Sequence, residues 1–145
     1  MLAKSTEYAI RALVFIELLN QEGNRPGVKQ IAREIASPEA YTGKIMQILT
    51  KQGLVRSMKG RGGGFFFDHA TRPLSLQKII RVMEGESYFN KCGLGFNGCD
   101  SHAPCPIHSE YITAKKELFD LFEKQTIESL AQNVKDGLAV LNRPM

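Results

Sequence analysis

The sequence predicts a mainly α-helical fold with one small β-hairpin. Three observations predict it: apolar residues recur at helical spacing, capping and turn residues divide these stretches into separate helices, and a glycine-rich run separates two apolar segments near the middle. The chain has 145 residues, of which 43% are hydrophobic and 23% charged. This composition and length are sufficient for a globular domain with its own core.

The first predicted helix begins near Ser5 or Thr6, either of which can be its N-cap, and continues to about Asn20. Apolar residues lie around most of its circumference, which predicts a helix buried between neighbours. Arg11 and Glu17 interrupt the apolar run, and no small-residue cleavage site follows. Neither a membrane span nor a secretory signal is therefore predicted, and we expect a cytoplasmic protein.

Two short helices separated by a sharp turn are predicted next. After a loop at residues 23–27, an apolar stripe at i, i+3, i+4 and i+7 predicts the first of them. The stripe consists of Val28, Ile31, Ala32 and Ile35. Ser37 as N-cap and Pro38 as the first helical residue begin the second helix at once, and Gly53 can end it. Its predicted inner face consists of Tyr41, Ile45, Ile48 and Leu49. This spacing is typical of a helix-turn-helix.

The predicted outer face of the second helix carries small and hydrogen-bonding side chains. Such side chains can contact base edges in a DNA major groove. The residues on this face are Glu39, Ala40, Thr42, Gly43, Lys44 and Gln47. An ordinary solvated polar face is the alternative interpretation, and this pattern taken alone favours it.

A two-stranded hairpin is predicted directly after the second helix, where residues 54–55 and 65–67 flank the sequence MKGRGGG. Three consecutive glycines allow positive φ in the turn, and Arg61 at the tip can enter a minor groove or bind a phosphate. An NTPase phosphate loop is excluded because neither Gly-Lys-Ser/Thr nor a helix follows. A hairpin at this place is a wing, so the predicted architecture is a winged helix-turn-helix.

The net charge of +4 is concentrated on these two elements. Segment 37–64 contains five basic residues and one acidic residue, so it holds the whole formal excess. A local basic patch favours an anionic partner, and its position on a helix-turn-helix and a wing favours double-stranded DNA over a merely solvated surface. Phosphate contacts are predicted for Lys44, Lys51, Lys59 and Arg61. The residues predicted near base edges are Tyr41, Thr42 and Gln47.

The C-terminal half begins with a helix that Ser75 caps and Gly85 ends. One face of this helix presents Leu76, Ile79, Ile80 and Met83. Residues 86–108 form a loop too long to be structureless without a function. From about Ser109 to Asp136 a single long helix is predicted, and such a terminal helix packs on its own domain or on a second subunit. Along one side of it lie Ile112, Phe119, Phe122, Leu130 and Val134.

All three cysteines lie in the loop. Six residues separate Cys92 from Cys99, five separate Cys99 from Cys105, and His108 lies three residues after Cys105. Three thiolates and an imidazole can satisfy a tetrahedral metal ion or the irons of a cluster, and nearby glycines leave backbone amides free to bond sulfur. An odd number of cysteines argues against a disulfide scaffold. A zinc site without a Cys-x-x-Cys motif is less favoured, and it stays open together with unligated reactive thiols.

These features together resemble the bacterial winged-helix iron–sulfur regulators, the family that includes IscR and NsrR. The resemblance covers nearly the whole chain and rests on KSTEYAIRAL, VKQIAREIASPEAYTGKIMQIL, GRGGGF and three cysteines before the last helix. It implies a homodimer that crosses its C-terminal helices and reads a palindromic operator. The implied organisation is a DNA-binding domain at 1–85, a cysteine loop at 86–108, and a dimerisation helix and tail at 109–145.

The resemblance also implies that Cys92, Cys99 and Cys105 ligate an iron–sulfur cluster. It offers two fourth ligands. His108 occupies the histidine position of the biogenesis regulators and implies a 2Fe–2S cluster, which is slightly preferred. Glu7 occupies the position at which nitric-oxide sensors use an acidic residue of the partner subunit, and it implies a 4Fe–4S cluster. A Glu7 ligand would also connect the loop to the first helix, and so to the helix-turn-helix.

The function implied is a transcription regulator, expected to be a repressor, whose operator affinity a cluster controls in response to iron–sulfur status, nitric oxide or redox state. The alternative is a winged-helix redox regulator that uses zinc or thiols and holds no cluster. An enzyme is not expected, because only Cys105 and His108 offer a nucleophile beside a base.

Overall fold

A computed structural model describes residues 1–143; positions 144 and 145 of the predicted tail lie outside the described residues. Its helices are α1 (Lys4–Gln21), α2 (Val28–Glu34), α3 (Glu39–Lys51), α4 (Leu76–Glu84), α5 (His108–Lys124) and α6 (Ile127–Lys135). An antiparallel hairpin of β1 (Arg56–Met58) and β2 (Gly64–Phe66) pairs Arg56 with Phe66 and Met58 with Gly64. The predicted mainly helical fold with one hairpin is confirmed. In the described part of the chain, no helix combines the length and apolarity that a membrane span requires.

Helix α1 runs through the centre of the fold, as its apolar circumference predicts. It packs against α2, α3, α4 and α6, and Ala9, Ala12, Leu13 and Ile16 are completely buried. The predicted caps Ser5 and Thr6 are wrong, because Ala3 is the N-cap and both residues lie in the first turn. Glu84 of α4 stabilises this end of α1 instead. Its carboxylate accepts a hydrogen bond from the Ala3 amide (2.7 Å) and one from the Thr6 hydroxyl.

The helix-turn-helix forms where the sequence predicts it, with its cap shifted by one residue. Ala36 adopts a left-handed conformation (φ 54°) and turns the chain between α2 and α3. The Ser37 amide donates to the Ala32 carbonyl (2.9 Å), and Pro38 is the N-cap of α3. The predicted Ser37 cap is wrong because Ser37 is buried in the turn.

The inner face of α3 lies about one position further round the helix than predicted. The buried residues are Thr42, Ile45, Met46 and Leu49, whereas Ile48 is 42% exposed and Tyr41 36% exposed. Both sets satisfy a 3.6-residue period, and the apolar character of Tyr41 and Ile48 favours the wrong one. Tyr41 instead packs edge-on against Tyr8 of α1, with ring centroids 5.7 Å apart.

The prediction of a single helix from Ser109 to Asp136 is wrong, because the helix is interrupted between α5 and α6. Gln125 is extended, and Thr126 begins α6 with a capping box in which Thr126 and Ser129 exchange side-chain and backbone hydrogen bonds. Two backbone hydrogen bonds to the start of α4 hold the interruption in place. The Gln125 carbonyl accepts from the Leu76 amide (3.0 Å), and the Leu74 carbonyl accepts from the Ile127 amide (2.8 Å). The break lets α6 turn back and bury Ile127 and Ala131 against α1.

An ionic network at the centre joins three parts of the fold. The Arg72 guanidinium pairs with the almost completely buried Glu17 of α1 and lies 3.6 Å from Glu128 of α6. The other Glu128 oxygen accepts from the Leu74 amide (3.1 Å). Since Arg72 neutralises two carboxylates, its loss would leave buried charge without a partner.

Candidate DNA-binding surface and cysteine loop

Helix α3 presents a polar face to solvent. Its exposed residues include the predicted Glu39, Lys44, Gln47 and Lys51, together with the half-exposed Tyr41. Because α3 is amphipathic and its apolar face packs in the core, these side chains project together into solvent. Such a face fits the width of a DNA major groove.

Thr42 does not belong to this face. It is completely buried, and its hydroxyl donates to the Pro38 carbonyl (2.9 Å) at the start of α3. The predicted base contact by Thr42 is therefore wrong in this conformation. The physical reason is that the hydroxyl is used to bond the preceding turn of its own helix, as threonine does readily.

The wing is fixed to the loop between α1 and α2 by close backbone contacts. The Phe65 amide donates to the Pro26 carbonyl (2.8 Å), and the Asn20 side chain bonds the backbone of both Phe65 and Phe67. Gly64 adopts φ 145°, and a Cβ at this position would lie 2.2 Å from the Arg25 carbonyl oxygen. Only glycine fits there, so Gly64, the third glycine of the run, allows the wing to pack closely on the loop between α1 and α2.

The tip of the wing carries Lys59 and Arg61, and both are exposed as predicted. Sequence reasoning missed Arg25, whose guanidinium stacks on the Phe66 ring (4.1 Å to the centroid) and lies 3.4 Å from the Met58 sulfur. Arg25 thus adds a cation at the base of the wing. A lone arginine in a loop gave no signal of this, because the contact depends on how the hairpin folds back.

Asp68 lies where the chain leaves the wing, and it reduces the basic charge there. It accepts from the Ala70 amide (3.1 Å) and from the Arg56 guanidinium (3.1 Å). These two contacts, the amide first, lower the pKa of Asp68 below its ordinary value. Arg56 is consequently paired, whereas Lys59, Arg61 and Arg25 are exposed cations on and beside the wing.

The Cys92 sulfur lies in a cradle of backbone amides. The Leu94 amide donates to it (3.4 Å) and is the main cause of a lowered pKa of the Cys92 thiol. Burial opposes this effect and is the second largest influence, while the Phe96 amide, the Cys105 thiol and the Gly95 amide lower the pKa further. Cys92 and Cys105, which are thirteen residues apart in sequence, are thus neighbours in space. Backbone amides that donate to a ligating thiolate tune the reduction potential of an iron–sulfur cluster.

Cys99 is held against α5 by a lysine. The Lys115 ammonium lies 3.4 Å from the Cys99 sulfur and 3.3 Å from the Lys91 carbonyl oxygen. Nearby, a Cβ at Gly93 would lie 2.8 Å from the Tyr111 ring, so the loop backbone packs directly on that ring. These contacts attach both arms of the loop to one helix.

The remaining proposed ligands stand apart from the sulfur atoms. His108 is the first residue of α5, and its amide donates to the Cys105 carbonyl (3.0 Å). Glu7 is exposed on α1 and pairs with Lys4 (3.5 Å). Across residues 1–143, no three His, Cys, Asp or Glu side chains lie close enough together to hold a metal ion. The chemistry of the donors fits a cluster, and the three thiols would have to come closer together to bind one.

A cavity of about 240 Å³ lies beside Cys92, between the loop, the N-terminus and α5. Met1, Tyr88 and Lys115 line it, and burial raises the pKa of Tyr88. The cysteine loop therefore adjoins the start of α1. The same helix contacts α3 through Tyr8.

A family model described as Rrf2, an iron-dependent transcriptional regulator, matches residues 2–133. The HTH-type transcriptional regulator NsrR of Oceanobacillus iheyensis is 28% identical over 141 residues, 97% of this chain and 95% of that relative. Among solved structures, CymR (YrzC), the global cysteine regulator of B. subtilis, has a TM-score of 0.74 at 19% identity and covers 91% of this chain and 96% of its own. T. potens IscR has a TM-score of 0.70 at 20% identity, with coverage of 97% and 92%. These two structures support the fold.

Proposed function

Because this chain belongs to the Rrf2 family of transcriptional regulators, we propose that it represses transcription by binding DNA through α3 and the wing, under the control of an iron–sulfur cluster in the cysteine loop. It would act in the cytoplasm. The observation that carries the proposal is the placement of charge: the excess basic residues are exposed on α3 and the wing, both of which are anchored to the core.

In this proposal α3 enters the major groove, with Glu39, Tyr41 and Gln47 near base edges. Phosphate contacts come from Lys44, Lys51, Lys59 and Arg61. Four such contacts per subunit would make log affinity fall with log salt concentration with a slope of roughly −3 to −4 per subunit.

Salt-dependent binding tests this surface. We expect Arg61→Ala to weaken binding to all DNA sequences. The slope of log affinity against log salt concentration should become shallower by the amount that corresponds to about one phosphate contact per subunit. Arg81→Ala is the matched control, because this exposed arginine lies on α4, outside α3, the wing and α5, and pairs with Glu86 (3.6 Å). Equal slopes for Arg61→Ala and the unchanged protein would remove the wing tip from the interface.

We further propose a homodimer formed through α5, with a palindromic operator as the consequence of its two-fold symmetry. In support, α5 buries only Phe122 of its 17 residues, and Leu121 is 48% exposed. A helix this poorly buried in its own chain gains stability from a second surface. Sedimentation equilibrium tests the dimer, and a monomer at micromolar concentration would contradict it.

For the cluster, we propose Cys92, Cys99 and Cys105 as ligands and either His108 or the Glu7 of the partner subunit as the fourth. When bound, a cluster supplies iron that reacts with oxidants and nitric oxide. The chain contributes the amide cradle at Cys92 and the loop glycines that let the backbone wrap the sulfur atoms. A 2Fe–2S cluster with His108 is preferred slightly over a 4Fe–4S cluster with Glu7.

A change in loop conformation on cluster binding would be transmitted to the DNA-binding surface through α1. The cavity beside Cys92 is bounded by Met1, and α1 carries Tyr8 against Tyr41 of α3. A cluster that binds one loop conformation better than the other shifts the position of α1, and hence of α3. This route uses contacts within one chain and does not require Glu7 as a ligand.

Anaerobic purification with iron, sulfide and absorption analysis tests the cluster. We expect a coloured protein with equal iron and sulfide, and loss of both in Cys92→Ser. Glu7→Ala and His108→Ala, compared in iron content, separate the two fourth ligands. A colourless protein that resists anaerobic reconstitution would instead indicate the zinc- or thiol-based regulator.

A further inference from the structure

We propose that Lys115 is a positioning residue for the cluster, an inference that rests on the proposed function. Its ammonium group holds the Cys99 sulfur on α5, stabilises negative charge at that sulfur and so raises the reduction potential of the bound cluster.

The geometry around Lys115 supports this role. Its ammonium nitrogen lies 3.4 Å from the Cys99 sulfur and 3.3 Å from the Lys91 carbonyl, and 5.6 Å from the centroid of the Tyr111 ring. The side chain is only partly exposed, although lysine normally extends into water. A cation that is held at a sulfur atom, a carbonyl and an aromatic face is fixed in place.

Lys115 also lies near a second ligand. It lines the 240 Å³ cavity that Cys92 and Gly93 border. Its charge is therefore placed between the segments that carry Cys92 and Cys99, two of the residues that would hold a cluster. The adjacent Lys116 differs, because its ammonium pairs with Asp120 along α5 and is 77% exposed at the side chain.

The consequence follows from electrostatics. Reduction adds one electron to a cluster, and a cation that donates a hydrogen bond to a ligating sulfur stabilises the added charge. Removal of that cation should make the cluster harder to reduce. Because the same group ties Cys99 to α5, its removal should also speed the loss of iron.

The experiment compares Lys115→Met, Lys115→Arg and Lys116→Met in the cluster-loaded full chain. For Lys115→Met we expect the ratio of reduced to oxidised cluster at a fixed potential to fall about tenfold, which corresponds to about 59 mV for a one-electron couple. We also expect faster iron loss to a chelator. Lys115→Arg keeps a charged donor and should restore the potential, and Lys116→Met should match the unchanged protein.

Equal potentials and equal rates of iron loss in Lys115→Met and Lys116→Met would overturn the proposal while leaving the cluster in place. A change in iron loss without a change in potential would also overturn it, because Lys115 would then act only as a structural tie. If the unchanged protein binds no cluster under anaerobic reconstitution, the proposed function fails first, and the inference fails with it. Far-ultraviolet circular dichroism confirms that each variant is folded.

Discussion

The proposed DNA-binding half, residues 1–85, and the cysteine loop, residues 86–107, are built in opposite ways. In residues 1–85, α1 is buried among its neighbours, and the wing is fixed by Gly64 against a backbone carbonyl. In residues 86–107, Cys105 is the only buried residue of this described segment. Tyr88 and Phe89 pack against the core at the start of this segment, and beyond them the loop is held by one lysine, one aromatic ring and its own turns.

This difference indicates which part a ligand completes. The first part has its own buried core, whereas the loop beyond Phe89 lacks the apolar contacts that would define one conformation. Free energy from a bound cluster would supply what the loop lacks, because metal binding couples to folding where the site is not preformed. Substitutions in the first half should therefore change stability, and substitutions in the loop should change ligand binding.

The largest expected effect is on stability. Arg72→Leu leaves Glu17 and Glu128 without their cation, and it should lower the free energy of unfolding by about 3 kcal/mol, measured by urea denaturation of the metal-free protein. The matched control is Arg81→Leu, because Arg81 pairs with an exposed glutamate at 3.6 Å. A loss of similar size in both variants would contradict the role of the central network.

The wing should be almost as sensitive as the core. Gly64→Ala brings a Cβ to 2.2 Å from a carbonyl oxygen, so the wing must move, with a loss of DNA affinity and of roughly 2 kcal/mol in stability. Gly62→Ala is the control: its φ is also positive (73°), but no atom lies within 4 Å of its added Cβ. Fluorescence anisotropy with labelled DNA measures the affinity of both variants. Equal losses of affinity would show that the strain of an alanine at positive φ, without the clash, accounts for the effect.

A smaller effect is expected where the two regions meet. Tyr8→Leu removes the ring contact with Tyr41, worth about 1 kcal/mol, and should reduce the difference in DNA affinity between cluster-loaded and cluster-free protein. Tyr8→Phe keeps the ring and should keep the difference. If Tyr8→Leu leaves the ratio of the two affinities unchanged, the signal does not pass through this contact.

The smallest effect concerns the free thiols. Because backbone amides lower the pKa of Cys92 in the folded, metal-free protein, its thiolate persists to lower pH than in the unfolded chain. Any stability that this shift contributes is present above the unfolded pKa and is lost as pH falls through the folded pKa. Alkylation followed by mass spectrometry at several pH values measures this, with urea-unfolded protein as the reference. Identical pH profiles in both states would show that the cradle does not act on this sulfur.

Much of the DNA-binding half could be predicted from local pattern. The apolar stripe of α2, the Ser75 cap of α4 and the glycine-rich wing were predicted close to their observed places. The buried face of α3 was not predicted, since the 3.6-residue period allows two overlapping stripes. Packing against α1 and α2 decides that Thr42 is buried and Tyr41 is not.

The C-terminal half was less predictable because long-range contacts determine it. The break between α5 and α6 had a local signal in the capping pair Thr126 and Ser129, but α4 also fixes it. The contact between Lys115 and Cys99 joins positions sixteen residues apart and has no periodic signal. For the loop, the sequence predicts the donor atoms, and their arrangement depends on what they bind.

The central claim is that the cysteine loop controls a DNA-binding half that is already formed. The most direct measurement is the affinity of one protein preparation for one operator under anaerobic conditions, before and after chelator removes the cluster. We expect the two affinities to differ by at least about fivefold, the lower end of typical coupling between sites, with the helical content unchanged. Equal affinities in the two states would contradict the claim, even for a protein that binds both cluster and DNA.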